Sequence, residues 1–215
     1  MPNQSAYVFG TSTGGTAVLD LTIRYPDLVH TAILHEPIVF SVIRDDALRN
    51  DMITLYQTVV TIQDPVEAYA LFADYMFKPP QLSFPSGFAS GKRRIAPSFQ
   101  ADRQPPDPVE AYNSRQGHQE AVAMVKYVVD ENKVKEVANK LVVVCGMQSI
   151  DQRISEPGKA LARLLGGRGT PHLLPGDHLN FTSRSRAPSF GEQLLRLLHE
   201  RRRFDCMKRW CRSRL

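Results

Sequence analysis

Hydrophobic positions along this chain follow two different periods. Three short apolar runs end at turn residues, and they cover residues 6–9, 31–34 and 141–145; residues 170–174 are a further, last short predicted strand. Runs of this kind are typical of buried strands. Apolar residues with helical spacing occur between or after them, over residues 16–25, 157–165 and 190–199. Because a helix connects the first two runs, these strands can pair in parallel. The pattern predicts an α/β fold with a mostly parallel sheet and helices on its faces.

The middle of the chain differs from both ends. Up to residue 77 the apolar spacing is helical and fits two or three helices. Seven of the fifteen prolines then lie between residues 79 and 108, which predicts a long loop, and a further helix is expected from about residue 109 to 129. We therefore predict three parts: residues 1–37 and 141–200 form the α/β core, residues 38–140 a helical cap with a Pro-rich loop, and residues 201–215 a disordered basic tail.

Charge is concentrated in that tail. The chain has 27 basic and 22 acidic residues, and seven of the basic ones lie in the last fifteen positions with one acid. The rest of the chain therefore has 20 basic against 21 acidic residues and is close to neutral. The tail also contains Phe204 and Trp210, so binding of RNA or anionic lipid is a weaker alternative to a solvated extension. We expect no nucleic-acid partner.

Composition also bears on the compartment. Three cysteines, one in an apolar run and two in the tail, do not form a disulfide framework. The first residues lack a basic segment followed by a long apolar one, and no run reaches the roughly 18 apolar residues of a membrane span. We expect a protein of the cytoplasm with no membrane span.

The clearest chemical motif is Gly10-Thr11-Ser12-Thr13-Gly14, which follows the first predicted strand and opens the first predicted helix. It matches the Gly-x-Ser-x-Gly nucleophile elbow, in which a sharp strand-to-helix turn exposes a serine hydroxyl at the top of the sheet. The alternative is an ordinary glycine-rich turn or a phosphate-binding turn. Neither G-x-G-x-x-G nor a Walker lysine is present, which favours Ser12 as a nucleophile.

Two segments carry a family resemblance. AYVFGTSTGGTAVLDLTIRYPDLVHTAILHEP resembles the strand, elbow, helix and next strand of the α/β-hydrolase superfamily, and LVVVCG with LLPGDHLNF resembles its penultimate strand and histidine loop. The resemblance covers most of residues 5–200 and is weakest in residues 38–140. It implies hydrolysis of an ester or similar acyl bond of a small molecule, with no metal or organic cofactor.

The resemblance also assigns site residues. His178, on the loop after the last predicted strand, is the expected base, and the backbone N–H of Thr13 is an expected oxyanion donor. Two carboxylates compete for the position of the acid. Ser149 occupies the family's usual slot for it, Asp151 lies two residues further on, and Glu36 ends the strand after the elbow. Some α/β-hydrolase families supply the acid from the end of the strand after the elbow. We therefore favour Glu36 over Asp151.

A complete member of the superfamily has four strands before the elbow, and a loop among them carries the second oxyanion donor. Here the elbow begins at residue 10, so we expect a truncated form of the fold. One alternative function follows, a non-catalytic binding or interaction module. The elbow strand would also present an apolar sheet edge, through which homo-oligomers could form.

Overall fold

The computed structural model describes residues 5–80, 122–166, 170–179 and 187–212, with the backbone alone for residues 65 and 200–212. In chain order the elements are β1 (Ala6–Thr11), α1 (Thr13–Arg24), β2 (Val29–His35), α2 (Asp46–Val59), α3 (Pro65–Met76), α4 (Glu131–Glu136), β3 (Leu141–Gly146), α5 (Glu156–Leu164), β4 (His172–Leu174) and α6 (Ala187–Arg212). Short 3-10 turns lie at Pro26–Leu28, Phe40–Val42, Ala138–Lys140 and Arg153–Ser155.

The strands form one four-stranded sheet in the order β1-β2-β3-β4, and every neighbouring pair is parallel. In the register, Leu34 pairs with Gly10 on one side and with Val143 on the other, and Gly146 pairs with Leu174. The predicted parallel α/β sheet is therefore confirmed. Because all strands run the same way, their carboxyl ends lie along one edge of the sheet, where parallel α/β proteins place their sites.

Both faces of the sheet are buried. Alternate side chains of a strand point to opposite faces: Ala32 and Leu34 belong to a large core that also contains residues of α1, α2 and α3, whereas Ile33 belongs to a smaller cluster with Val144 and with Phe190 of α6. Helices of the middle segment thus share one core with the sheet. The division into a core and a cap domain stays a prediction.

Helices α2 and α3 begin where short acidic side chains accept backbone hydrogen bonds. Asp45 accepts from the amide of Leu48 at 3.0 Å, and Asp64 accepts from the amide of Val66 at 2.8 Å. Such caps satisfy amides that have no partner within the helix, and Pro65 at the first helical position needs none.

The end of α3 is anchored beside the site by Arg153, a buried cation. Its guanidinium donates to the carbonyl of Tyr75 at 3.1 Å and lies 4.1 Å from the centre of the Tyr75 ring. The carbonyls at a helix carboxyl end carry partial negative charge, so Arg153 is stabilised there. Phe77, which follows α3, contacts the ring of His178 with 6.0 Å between ring centres.

Residues 201–212 continue α6 as helix, whereas the composition predicted a disordered tail. From residue 192 to 212 the chain has neither glycine nor proline and is rich in Arg and Leu, which are good helix formers, and this local propensity explains the difference. Most of the Pro-rich loop and of the helix predicted for residues 109–129 lies outside the described residues, and residues 122–126 are helical.

Within the described parts of the chain, no helix is both long and apolar enough to cross a membrane. In the same residues β1 has one strand neighbour, β2. Assembly through the β1 edge stays a prediction.

Candidate functional site

Ser12 lies at the turn between β1 and α1 in a strained backbone conformation. Its φ of 55° and ψ of −124° are uncommon for a residue with a side chain. Hydrogen bonds hold the turn on both sides: the Ser12 amide donates to the carbonyl of His35 at 2.9 Å, and the Ser12 carbonyl accepts from the amide of Gly15 at 3.0 Å. These hydrogen bonds therefore hold Ser12 in its strained conformation.

Two glycines around Ser12 lie in tight contacts, and a third does not. A Cβ on Gly10 would lie 2.3 Å from the carbonyl oxygen of Gly14, and a Cβ on Gly15 would lie 3.1 Å from Cβ of Pro37. A Cβ on Gly14 would meet no atom within 4 Å. The steric constraint thus acts at Gly10 and Gly15, although the motif specifies Gly10 and Gly14.

Glu36 follows β2 and is fully buried, with a positive φ of 44°. Its two carboxylate oxygens have different partners. Oε2 accepts a hydrogen bond from Nδ1 of His178 at 2.6 Å, and Oε1 accepts from the amide of Gly146 at 2.8 Å and from the hydroxyl of Ser149. A buried carboxylate with donors on both oxygens is stabilised in its charged form.

His178 is placed by the loop after β4. That loop is tied to the end of β3, because the amide of Met147 donates to the carbonyl of Leu174 at 2.8 Å and the amide of Gln148 donates to the carbonyl of Gly176 at 2.9 Å. Gly176 has a φ of 102°, which favours glycine. His178 is buried, and its imidazole is joined to Glu36 across 142 positions of sequence.

Electrostatics at the site favour a charged Glu36 and a neutral His35. Burial raises the pKa of Glu36, but the hydrogen bond and charge of His178, with His35 and Ser149, bring the pKa below its ordinary value. Burial lowers the pKa of His35 to about 4, despite the opposing effect of Glu36. His35 therefore stays neutral near pH 7 beside the carboxylate.

The structure places most of the predicted site residues along one edge of the sheet. Ser12 and Thr13 follow β1, Glu36 follows β2 and His178 follows β4, so all lie at the carboxyl edge of the sheet. Asp151, the other candidate acid, is exposed on the turn after β3, and Nδ1 of His178 instead contacts Glu36.

Sequence reasoning missed two residues of the site. Ser149 was noted only as a replacement for a family acid, and its contact with Glu36 has no local signal in the sequence. No role was predicted for His35, yet its ring is stacked near His178, with 6.0 Å between ring centres and 19° between planes. Its position next to Glu36 was the available signal.

His35, Glu36 and His178 each place one possible metal-ligand atom within 4.8 Å of the others. However, Nδ1 of His178 and Oε2 of Glu36 are 2.6 Å apart. Two ligands of one tetrahedral zinc, each at about 2.0–2.1 Å, would be roughly 3.3 Å apart. The observed separation fits a direct hydrogen bond better than a shared metal ion.

The chain is similar in part to proteins whose names describe them as hydrolases. No protein-family model matches it. A stretch of 47 residues is 47% identical to the uncharacterized hydrolase YraK of Bacillus subtilis (strain 168), over 22% of this chain and 17% of that protein. A putative lipase from Acinetobacter baumannii AYE is similar in structure over 92% of this chain and 62% of its own, with a TM-score of 0.53 and 17% identity. A thermostable carboxyl esterase from Bacillus coagulans has a TM-score of 0.47 and 15% identity, over 93% and 66% of the two chains. The chain therefore spans less than two thirds of the length of the lipase.

Proposed function

The chain has the α/β-hydrolase fold, and we propose that it is a serine hydrolase acting on an ester or similar acyl bond of a small molecule. The observation that carries the proposal is the buried hydrogen bond between His178 and Glu36, at the sheet edge where Ser12 occupies a strained elbow. A histidine oriented by a carboxylate near a serine elbow is the arrangement that activates a serine hydroxyl. The names of the matched proteins, a hydrolase and a putative lipase, point to the same class.

In the proposed reaction, the hydroxyl oxygen of Ser12 attacks the carbonyl carbon while Nε2 of His178 takes the hydroxyl proton. Glu36 accepts the Nδ1–H, which leaves Nε2 as the acceptor of that proton. The tetrahedral intermediate then expels the alcohol, which receives the proton from His178. Water, activated by the same histidine, attacks the acyl-serine and releases the acid.

Charge develops on the carbonyl oxygen during the attack. The backbone N–H of Thr13, at the first residue of α1, is the proposed donor to this oxygen, because the amino end of a helix carries partial positive charge. On His178 the developing positive charge is stabilised by Glu36, whose lowered pKa keeps it ionised. Burial of this pair strengthens the interaction.

A fluorophosphonate probe tests the proposal, since it reacts covalently with activated serines. We expect the full chain to be labelled, and Ser12→Ala to lose the label entirely. Ser155→Ala is the matched control, because Ser155 is a buried serine whose hydroxyl donates to the backbone carbonyls of Ile150 and Gln152. Peptide mapping should find the adduct on Ser12. Folded wild-type protein that takes up no label, or label that persists in Ser12→Ala, would contradict the proposed function.

A further inference from the structure

Ser149 lies on the turn after β3, fully buried, and its hydroxyl donates to Oε1 of Glu36. We propose that Ser149 is a positioning residue of the site, which holds one oxygen of Glu36 so that the other faces His178. This inference rests on the proposed function, and it assigns a role to the residue that replaces an acid in the slot where the superfamily resemblance places one.

The division of the carboxylate into two differently bound oxygens supports the proposal. Oε1 has two donors, the amide of Gly146 at 2.8 Å and the Ser149 hydroxyl, whereas Oε2 has Nδ1 of His178 at 2.6 Å. The terminal torsion of a glutamate has a broad, shallow energy profile, so a single hydrogen bond leaves the carboxylate plane poorly defined. Two donors on Oε1 define that plane and direct Oε2 at the imidazole.

The turn is built to bring the Ser149 hydroxyl to this place. The amide of Ser149 donates to the carbonyl of Gly146 at 3.1 Å, and the carbonyl of Ser149 accepts from the amide of Gln152 at 2.9 Å. A Cβ on Gly146 would lie 2.7 Å from the Ser149 hydroxyl oxygen and 2.4 Å from the carbonyl oxygen of Gly176. Gly146 thus allows the hydroxyl to approach, and its own amide is the second donor to Glu36.

Ser155 is a buried serine of the same region whose hydroxyl is not hydrogen-bonded to Glu36, and it can be compared with Ser149. Both serines are fully buried and lie six positions apart. The Ser155 hydroxyl has two neutral backbone carbonyls as partners, at 2.7 and 2.8 Å. The Ser149 hydroxyl also lies near a backbone carbonyl, that of Gly146 at 3.3 Å, but its shorter hydrogen bond goes to the charged Glu36 side chain. Hydrogen bonds to charged groups contribute more than those between neutral groups. The two serines therefore form a matched pair for mutation.

The experiment measures the rate at which a fluorophosphonate labels Ser12 in the full chain. We expect Ser149→Ala to be labelled about tenfold more slowly than wild type, because Oε1 loses a charge-assisted hydrogen bond. Ser149→Thr, which keeps the hydroxyl, should recover most of the rate, and Ser155→Ala should match wild type. Thermal unfolding of each variant shows that it is folded, and Ser149→Cys is the second variant if Ser149→Ala does not fold. Equal rates for Ser149→Ala and wild type, or equal slowing by Ser149→Ala and Ser155→Ala, would overturn the proposal.

A second readout does not require catalysis. The Nδ1 proton of His178, held between imidazole and carboxylate, should give a far-downfield proton NMR resonance in Ser12→Ala protein. Adding Ser149→Ala should move or broaden this resonance, and adding Ser155→Ala should leave it unchanged. An unmoved resonance would count against Ser149 as a positioning residue. If wild type takes up no label, the proposed function fails, and this resonance still decides the role of Ser149.

Discussion

At the scale of single residues, His35 shows how burial controls charge at this site. It is fully buried, its Nδ1 lies 2.9 Å from the hydroxyl oxygen of Thr11, and its ring packs edge-on against Phe190 with 5.4 Å between centres. Glu36, His178 and Asp177 are the titratable groups whose charges act on it. Burial, together with the charge of His178, outweighs Glu36 and Asp177 and lowers the pKa of His35 from 6.5 to about 4. A neutral His35 therefore packs near His178 without placing a positive charge beside it.

This lowered pKa predicts a pH dependence of stability. Between pH 6.5 and pH 4 the unfolded chain binds a proton at residue 35 and the folded chain does not, so the free energy of unfolding falls as the pH is lowered through this window. The loss attributable to His35 should reach about 3 kcal/mol. Glu36 adds a loss of the same sign at lower pH, because its pKa is also depressed.

Urea unfolding at several pH values measures the effect. We expect His35→Phe, which keeps an aromatic ring but cannot be protonated, to lose clearly less stability than wild type from pH 6.5 to pH 4. His30→Phe is the control, because His30 is a partly exposed histidine of the same strand. Parallel pH curves for wild type and His35→Phe would show that His35 does not titrate in this way.

At the scale of elements, the β1–α1 connection depends on backbone contacts that the motif describes incompletely. Gly10 lies close to the Gly14 backbone because the chain reverses within a few residues at Ser12. Gly14 itself is exposed and does not have a positive φ. The surrounding atoms therefore exclude a side chain at the first glycine of the motif but not at the second.

Alanine substitutions at the two glycines should separate these cases. Gly10→Ala places a methyl group 2.3 Å from a carbonyl oxygen and should destabilise the fold by about 2–4 kcal/mol and suppress probe labelling of Ser12. Gly14→Ala should be neutral or stabilise by up to about 1 kcal/mol, because alanine is the better helix former. Thermal unfolding and labelling of both variants measure this, and equal destabilisation would contradict the steric argument.

At the scale of the whole molecule, the sheet is stable because helices bury both of its faces. On the face of α6, Phe190 contacts the rings of Phe9 and His35, with 5.9 and 5.4 Å between ring centres. Other residues of the helix, such as Leu195, are largely exposed. The smaller core cluster, which lies on the same face as His35, thus depends on one side of α6.

Two truncations on α6 test this dependence. Phe190→Ala should destabilise the protein by about 3–5 kcal/mol, because it leaves a cavity against the sheet and beside His35. Leu195→Ala, at a position 57% exposed, should change stability by less than about 0.5 kcal/mol. The midpoints of urea unfolding decide the comparison. Similar effects of both truncations would mean that α6 does not cover the sheet as described.

The sequence by itself determined the features that arise from neighbouring residues. Short apolar runs, with helically spaced apolar residues between them, indicated the parallel sheet. The spacing of Gly10, Ser12 and Gly14 indicated the elbow. Both features can be seen in the sequence because strand, helix and turn preferences act over a few neighbouring positions. Tail composition predicted disorder, whereas the backbone of residues 201–212 continues α6 as helix, in line with the helix propensity of these residues.

Tertiary structure decided which distant side chains meet. Glu36 and Asp151 both follow sheet strands in sequence, and nothing local distinguishes them as partners of His178. The β2–β3–β4 register brings the end of β2 within reach of the loop after β4, so Glu36 contacts His178 across 142 positions while Asp151 is left exposed. The same register places Ser149 on Oε1 of Glu36. Such contacts depend on how strands align and which groups become buried, and these are properties of the assembled chain.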